Sequence, residues 1–300
     1  MEYAIALDIG GTKIKGVLFN KRFKKIKEEK VYFRKKISES VVQMTKKEVL
    51  GLICSVISKL NKGKDIEGIG ISIPDVITKE GSIAGSSKIE ALSGFSLAKY
   101  LRKKFRCKVI AANDADCFAL AEQRLGAGRG CKNIVGVVYG TGIGAGIIIE
   151  GKIYAGSTGS SGEFGHNVVD PSGLRERIGL RGTVESFAAG PNLVKDYINA
   201  GGKIKDPDPI KIFYSKERKA KQVMDESLEM FSVGLASLMN ILNPEIIVIG
   251  GGLSNLPVYR QLNRWTKIYT VDGLRKHVKI VKNKLGDSAG VYGAAALVFS

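Results

Sequence analysis

Asparagine and aspartate residues mark one point in the chain where acid–base chemistry could occur. The run Asn113-Asp114-Ala115-Asp116 begins where a short apolar stretch ends. A carboxylate at such a junction of strand and helix, facing a cleft, can accept the proton of a hydroxyl that attacks phosphorus. We take Asp114 as the candidate base. Asn113 and Asp116 also suit the start of a helix, and we expect that simpler role for one of them.

Two glycine-rich turns could bind phosphate oxygens through backbone N–H groups. The first, GGTK at residues 10–13, follows an apolar run that ends in Asp8, and the second spans residues 140–146. Glycine lets a phosphate approach the backbone closely, although an ordinary glycine hairpin explains the first turn equally well. No helix is predicted after the second turn, which disfavours a dinucleotide site, and neither turn has the Walker spacing.

A third group of polar residues could bind several hydroxyl groups at once. Glu163 and His166 lie three residues apart in a glycine-rich segment, and the chain has only two histidines. A lone histidine is more often structural than a ligand. Together with Glu185, however, this pair would supply the several hydrogen bonds that a sugar requires.

The hydrophobic pattern predicts the elements that must position these residues. Strands are predicted at 3–7, 14–19, 30–33, 69–73, 109–112, 134–138, 147–149 and 245–249. Helices are predicted at 46–60, 96–105, 114–125, 217–242 and 289–299. The order strand, glycine turn, strand occurs twice, which predicts two similar domains at residues 1–115 and 116–288. The C-terminal helix, about 289–300, is expected to pack back on the first domain.

Composition excludes several classes of protein. The 300 residues suffice for about two domains, and charges interrupt every apolar run before it reaches the roughly 18 residues of a spanning helix. The N-terminus has no signal-peptide pattern, so we expect a cytoplasmic protein. The four cysteines show no metal-ligand spacing and are expected to be buried thiols.

The net charge of +18 raises the question of a nucleic-acid partner. The basic stretch KRFKKIKEEK at residues 21–30 alternates with glutamate and apolar residues, which indicates a solvated face of the protein. An anionic substrate would be attracted by the same surface. The charge therefore does not identify a partner, and nucleic acid remains the less favoured alternative.

Six motifs in order resemble those of the ROK family (repressor, open reading frame, kinase), within the actin-like and hexokinase-like superfamily. They are LDIGGTKIKGVLF, IGISIP, AANDAD, the long block from VYGTGIGAG to GEFGHNVVD, NPEIIVIGGGLS and LGDSAGVYGAAAL. The resemblance runs nearly from end to end of the chain. It implies an α/β fold of the RNase H-like, two-lobed type with an interlobe cleft.

The resemblance also implies an activity, namely ATP-dependent phosphorylation of a hexose or amino-hexose hydroxyl, usually the 6-hydroxyl. Asp114 would be the general base with Asn113 holding the sugar, and Asp8 would help to hold Mg²⁺ through water. The remaining roles implied are phosphate binding by Gly10, Gly11, Thr12, Lys13, Thr141 and Gly142, adenosine binding by Gly251 and Gly252, and sugar binding by Glu163, His166 and Glu185. Phosphoryl transfer requires mainly positioning and charge neutralisation, which such residues can supply.

Two segments depart from the family pattern. Many members carry a zinc motif, CxCGxxGCxE, after the GExGH segment, and here Glu176, Ile178 and Thr183 stand where its cysteines would be. Three missing thiolates predict that no zinc is bound. Lys88 stands where the family often has an asparagine that touches the sugar. The sugar therefore remains open, with glucose as the default and mannose, N-acetylglucosamine and N-acetylmannosamine as alternatives.

Three other functions compete with a kinase. A sugar-responsive repressor of the family would carry a helix-turn-helix domain, for which no room is left before Tyr3. An ATPase activator that bridges an iron–sulfur cluster would need a cysteine pair that the spacing does not provide. A non-catalytic sugar sensor is disfavoured by the intact Asp114. The resemblance further implies a homodimer or higher homo-oligomer.

Overall fold

The computed structural model describes residues 2–33, 36–38, 41–42, 44–78, 81–84, 89–173, 179–277 and 279–299. The chain divides into two compact units. The first comprises Met1–Arg124, Ile153–Ser161 and Asp287–Ser300, and the second comprises Leu125–Lys152 and Gly162–Gly286. Each unit is therefore assembled from separate stretches of sequence.

Within the described residues, the first unit contains a five-stranded sheet, two small hairpins and four helices. Its strands are β1 (Tyr3–Ile9), β2 (Lys13–Asn20), β3 (Lys25–Tyr32), β4 (Lys36–Ser38), β5 (Val41–Val42), β6 (Ile66–Ile73), β7 (Val76–Ile77), β8 (Ile83–Ala84) and β9 (Lys108–Asn113). Its helices are α1 (Lys46–Asn61), α2 (Leu97–Phe105), α3 (Asp114–Leu125) and, at the C-terminus, α9 (Ala289–Val298).

The large sheet of this unit has the strand order β3-β2-β1-β6-β9. The first three strands are antiparallel to one another, whereas β6 and β9 run parallel to β1. The central strand β1 is an almost continuous apolar run because helices cover both faces of the sheet. One face packs on α1 and α2, and the other packs on α9.

Small residues let α9 approach the sheet closely. A Cβ built on Gly70 of β6 would lie 1.7 Å from the backbone oxygen of Ala294, and one built on Gly293 would lie 1.9 Å from that of Cys117. No side chain fits at either position, so α9 packs backbone to backbone against β6 and α3. The alanine- and glycine-rich composition of α9 is the sequence signal for this packing.

The second unit, over the part that the structure describes, contains a five-stranded sheet and five helices. Its strands are β10 (Ile134–Tyr139), β11 (Ile143–Ile149), β12 (Lys152–Ile153, at the boundary), β13 (Ile246–Gly250) and β14 (Lys279–Lys282). Its helices are α4 (Val184–Ala188), α5 (Gly190–Asn199), α6 (Pro209–Tyr214), α7 (Arg218–Leu242) and α8 (Tyr259–Tyr269).

This second sheet repeats the topology of the first. Its order is β12-β11-β10-β13-β14, with an antiparallel β10–β11 hairpin and with β13 and β14 parallel to β10. Tyr139, at the end of β10, is fully buried and stacks on Phe231 of α7 with ring centroids 4.5 Å apart. The predicted internal repeat therefore appears as two sheets of the same strand order.

Several elements differ from the sequence prediction. The third strand runs from Lys25 to Tyr32, not over 30–33, because an edge strand of alternating lysine and glutamate lacks an apolar pattern. The four cysteines are free thiols, but Cys107 and Cys131 are only partly buried, which corrects the expectation of full burial. In the part of the chain that the structure describes, no helix is long and apolar enough to cross a membrane.

Candidate active site

Asp8 lies near the end of β1, the central strand of the first sheet. It is paired with Lys15 across the β1–β2 hairpin and with Ser72 in the parallel β1–β6 register. On its other side, a Cβ built on Gly290 of α9 would lie 2.9 Å from the Asp8 Cγ. The carboxylate is therefore enclosed by β2, β6 and α9.

The electrostatic surroundings of Asp8 raise the pKa of its carboxyl group to about 6. Burial is the largest cause, and repulsion from the Asp114 carboxylate is the second. The nearby Ser72 hydroxyl and attraction by Lys15 and Lys13 lower the pKa and act in the opposite direction. The two aspartates are thus close enough to influence each other's ionisation, although they are 106 positions apart in the sequence.

Asn113 and Asp114 lie at the junction of β9 and α3, as the sequence predicted. Asn113 caps the helix: its Oδ1 accepts a hydrogen bond from the N–H of Ala115 at 2.8 Å. Its Nδ2 donates to the backbone oxygen of Asp75 at 3.3 Å, which leaves one N–H of the amide for a ligand. Asp114 is the first residue of α3, where the helix dipole favours a negative charge.

The first glycine turn closes the β1–β2 hairpin. The Gly10 N–H donates to the oxygen of Lys13 at 3.1 Å, and the oxygen of Thr12 accepts from Phe33 at 3.0 Å. Gly10 has no positive φ, and the nearest atom to a Cβ built there is 3.9 Å away. Neither a positive φ nor close packing therefore requires glycine at this position.

The second glycine turn closes the β10–β11 hairpin and is held by Glu185. The Glu185 Oε2 accepts a hydrogen bond from the Ile143 N–H at 2.6 Å. A Cβ built on Gly142 would lie 3.1 Å from this oxygen, so a carboxylate packs directly on the turn. At the other end of the turn, the oxygen of Gly140 accepts from the N–H of Gly190 at 2.9 Å.

Glu163 and His166 lie on a 3₁₀ turn that packs on β11. Their Oε2 and Nε2 atoms are 3.8 Å apart. Gly165, between them, approaches both the Ile143 oxygen and the Glu185 carboxylate, to which a built Cβ would lie at 2.2 and 3.3 Å. The turn that carries Glu163 and His166 therefore packs against Glu185 in the second unit, although Glu185 is about 20 residues away in sequence.

Gly252 borders a pocket of about 530 Å³ in the second unit, a volume within the usual range for small-molecule sites. The lining is mostly apolar and consists of Gly140, Thr141, Gly190, Pro191, Val194, Pro207, Asp208, Pro209, Gly252 and Leu253. Gly252 has no neighbour within 4 Å of a built Cβ, whereas Gly251 has φ 88° and no room beside the Tyr139 oxygen. The fold thus requires glycine at 251 but not at 252.

The sequence prediction missed several residues of these clusters. Ser72 and Lys15 contact or face Asp8, and Gly290 makes room for it. A serine within the apolar strand IGISI was a readable signal, because a buried hydroxyl needs a partner. Pro191 and Pro207 line the pocket but carry no sequence pattern that points to a ligand.

The segment that replaces the zinc motif is only partly described. Glu176, Ile178 and Lys88 lie outside the described residues. Thr183 is fully buried and accepts a hydrogen bond from the Ser186 N–H as the N-cap of α4. Among the described residues, no three His, Cys, Asp or Glu side chains come together as metal ligands.

Comparison with known proteins gives a consistent result along the whole chain. The sequence model of the ROK family matches residues 4–300. The N-acetyl-D-glucosamine kinase of Photobacterium profundum is 31% identical over 304 residues, which cover 97% of each chain.

Two solved structures resemble the fold and cover nearly the whole chain. A ROK hexokinase from Thermus thermophilus has a TM-score of 0.86 with 27% identity, over 98% of this chain and 97% of that one. A ROK family glucokinase from Streptomyces griseus, solved with glucose and AMPPNP, has a TM-score of 0.77 with 25% identity, over 98% of each chain. These similarities confirm the predicted fold class, the α/β fold of actin-like and hexokinase-like ATPases.

Proposed function

The chain belongs to the ROK family and is a sugar kinase, and we propose that it transfers the γ-phosphoryl group of ATP to the 6-hydroxyl of a hexose or N-acetylhexosamine. In this reaction the bond between the γ-phosphorus and its bridging oxygen breaks as the sugar oxygen bonds to phosphorus. Asp114 accepts the proton that the hydroxyl loses.

The observation that carries this proposal is the interaction of Asp114 with Asp8. Two carboxylates from different elements are close enough for Asp114 to raise the pKa of Asp8. In sites where two neighbouring carboxylates have different chemical roles, their environments typically give them different pKa values. We assign proton abstraction to Asp114, which starts α3, and metal binding to the more enclosed Asp8.

Mg²⁺ fits the donor chemistry at Asp8. A carboxylate oxygen is a preferred ligand of this ion, which usually keeps several of its waters, and the repulsion between Asp8 and Asp114 favours a nearby cation. When bound together with ATP, Mg²⁺ neutralises phosphate charge. The chain's own contribution is to hold the Asp8 carboxylate between Ser72 and Gly290, with Lys13 and Lys15 moderating its charge.

The two glycine turns are proposed to bind the phosphates of ATP. Gly11, Thr12 and Lys13 of the first unit and Thr141 and Gly142 of the second would offer backbone N–H groups, together with the two threonine hydroxyls and the Lys13 ammonium group. Gly10, whose N–H donates to the Lys13 oxygen, would contribute space for the phosphate. The room at Gly10 supports this role, since a built Cβ would meet only the Lys13 oxygen at 3.9 Å and would obstruct a ligand more than the fold. The apolar pocket beside Gly252 is proposed to take the adenosine.

The cluster of Glu163, His166 and Glu185 is proposed to bind the sugar hydroxyls, with Asn113 adding one amide N–H. Carboxylates and imidazole offer acceptors and donors in fixed directions, which suits a polyhydroxylated ligand. One relative is named for N-acetyl-D-glucosamine, and one solved neighbour holds glucose. Glucose and N-acetylglucosamine are therefore the first substrates to test, followed by mannose and N-acetylmannosamine.

The decisive variant is Asp114→Asn. Loss of the base should lower kcat by about 10²–10⁴-fold while the dissociation constant of the sugar changes little. Asp65→Asn is the matched control, because Asp65 is exposed on the same unit. Unchanged turnover in Asp114→Asn would refute the assignment of the base.

A coupled ADP-release assay across about a dozen sugars identifies the substrate, with ATP, GTP and polyphosphate compared as donors. A non-catalytic sugar sensor would bind a sugar in calorimetry yet release no ADP. A nucleic-acid-binding regulator would show micromolar duplex binding that falls steeply with salt. That alternative is weakened by the lysines of β3, because Lys27 and Lys30 pair with Glu29 and Glu28 at 3.2 and 2.9 Å.

We expect this kinase to act in the cytoplasm, where ATP is available. The homodimer or higher homo-oligomer that the family resemblance implies stays a prediction, and light scattering of the purified protein tests it.

A further inference from the structure

Thr183 is a fully buried residue that fixes the start of the helix carrying Glu185. Its Oγ1 accepts a hydrogen bond from the Ser186 N–H at 3.1 Å, and the Ser186 hydroxyl donates back to the Thr183 oxygen at 2.7 Å. α4 has only five residues, so its own helical hydrogen bonds give it little stability. These reciprocal bonds therefore determine where the first turn of α4 lies.

The backbone before Thr183 is anchored to the segment that follows His166. Thr183 forms a bridge with Val168, and the oxygen of Gly182 accepts from Val169 and Asp170 at 2.8 and 3.1 Å. Gly182 has φ 58°, and a Cβ built on it would lie 1.5 Å from the Asp170 oxygen. Only glycine fits there, so this backbone pairing fixes the path of the chain into α4.

The residue after Thr183 locks the helix against the core. Val184 is fully buried, and its N–H donates to the oxygen of Asn167 at 2.9 Å. A Cβ built on Gly234 of α7 would lie 2.6 Å from the Val184 side chain. α4 therefore packs closely against α7 at this point.

Glu185, two residues after Thr183, is held at both of its ends. Its Oε2 accepts from the Ile143 N–H at 2.6 Å, and its backbone oxygen accepts from the Asn192 side chain at 2.8 Å. A carboxylate that replaces water at a backbone N–H keeps the adjoining turn in one conformation. A continuous set of contacts thus leads from the Thr183 hydroxyl to the turn that closes the β10–β11 hairpin.

We propose that Thr183 is a positioning residue, whose hydroxyl fixes α4 so that Glu185 holds the 140–143 turn in its phosphate-accepting conformation. The inference rests on the proposed function, which assigns that turn to phosphate and Glu185 to sugar. Thr183 stands where the family's zinc motif has its last cysteine. In this chain the residue at that position caps α4 through its hydroxyl.

Amide hydrogen exchange of the ligand-free protein tests this proposal independently of catalysis. Thr183→Val keeps the shape of the side chain and removes the hydroxyl, whereas Thr183→Ser keeps the hydroxyl. We expect exchange of the Ile143 amide to accelerate about fivefold in Thr183→Val, the size of a typical N-cap contribution, and to stay near wild type in Thr183→Ser. Thr45→Ala, which removes the N-cap of α1 in the first unit, is the matched control and should leave Ile143 unchanged.

Enzyme kinetics give the second readout. Thr183→Val should raise the KM for sugar and for ATP about fivefold with a smaller change in kcat, and Thr183→Ser should restore both. If Thr183→Val does not fold, Thr183→Ala removes the same hydroxyl with a smaller side chain, and the same acceleration at Ile143 is expected. An unchanged exchange rate of the Ile143 amide in a folded Thr183→Val variant would overturn the proposal. Because this measurement needs no turnover, its outcome does not depend on whether any tested sugar is a substrate.

Discussion

Gly290, the second residue of α9, lies directly against the carboxylate of Asp8. A Cβ at this position would be 2.9 Å from Cγ and 3.0 Å from each of the two carboxylate oxygens. Gly290 is helical and has no positive φ, so alanine would suit its backbone. Glycine at position 290 therefore leaves room for the Asp8 carboxylate, and the conformation of the helix does not require it.

We predict that Gly290→Ala displaces the Asp8 carboxylate and lowers kcat/KM by about 100-fold, the cost of moving a catalytic group by about 1 Å. The carboxyl group can rotate away from the new methyl group, so the free energy of unfolding should change little. Activity assays and thermal denaturation measure the two effects.

Gly51→Ala is the control for Gly290→Ala. Gly51 is an exposed helical glycine of α1 with no atom within 4 Å of a built Cβ. Alanine there should stabilise the protein by about 0.5–1 kcal/mol and leave kcat/KM unchanged. Equal effects of the two substitutions on activity would contradict the role assigned to Gly290.

Asp8 should make the ligand-free protein less stable as pH rises. Its folded-state pKa of about 6 lies above the unfolded value of 3.8, so the folded state binds more protons between these values. The free energy of unfolding then falls between about pH 4 and pH 6 and levels off above. Asp8→Asn removes this fall and should stabilise the protein at pH 7 by at most roughly 3 kcal/mol while abolishing activity. Urea titrations in EDTA at pH 4, 6 and 8 test the prediction. It fails if the free energy of unfolding falls equally with rising pH in the wild type and in Asp8→Asn.

Gly251 and Gly252 should respond differently to alanine. Gly251→Ala meets the Tyr139 oxygen at 2.4 Å and a φ of 88°, and it should destabilise the fold by about 1–3 kcal/mol. Gly252→Ala enters open space, so it should preserve stability and raise the KM for ATP. Gly273→Ala, another turn position with open space, is the control and should change neither quantity. If Gly252→Ala keeps the wild-type KM for ATP, Gly252 does not border the bound adenosine.

The purified protein should contain no stoichiometric zinc. Elemental analysis measures the metal content directly, and a chelator selective for zinc over magnesium should leave the thermal midpoint unchanged. One tightly held zinc per chain, or unfolding upon chelation, would show that other ligands replace the cysteines that are missing at residues 176, 178 and 183.

Several features of the fold could be predicted because they depend on local patterns. The apolar runs of β1 and β10, the glycine turns after them and the long periodic helix α7 all match the structure closely. The N-cap role of Asn113 followed from residue type and position alone. Such elements are determined by nearest neighbours in the chain, so the sequence carries their signal directly.

Other features could not be predicted because their cause lies elsewhere in the chain. α4 and α6 have only five and six residues, too few to show a helical period. α5 does carry apolar residues at helical spacing, such as Leu193 and Tyr197, and its absence from the prediction is a missed signal. The enclosure of Asp8 depends on Gly290, which follows it by 282 residues. The hydrogen bond between Glu185 and Ile143 depends in the same way on the packing of α4 on a hairpin about 40 residues earlier.

The amino-acid sequence by itself determined the family, the α/β class and which groups are candidates for the chemistry, because residue types and short spacings specify donors, acceptors and turns. Tertiary structure alone decided that Asp8 and Asp114 share an electrostatic environment, that Glu185 binds a backbone amide and that Gly252 faces open space. These relations depend on distances between residues that are remote in the chain, and only the packing of helices on sheets fixes those distances.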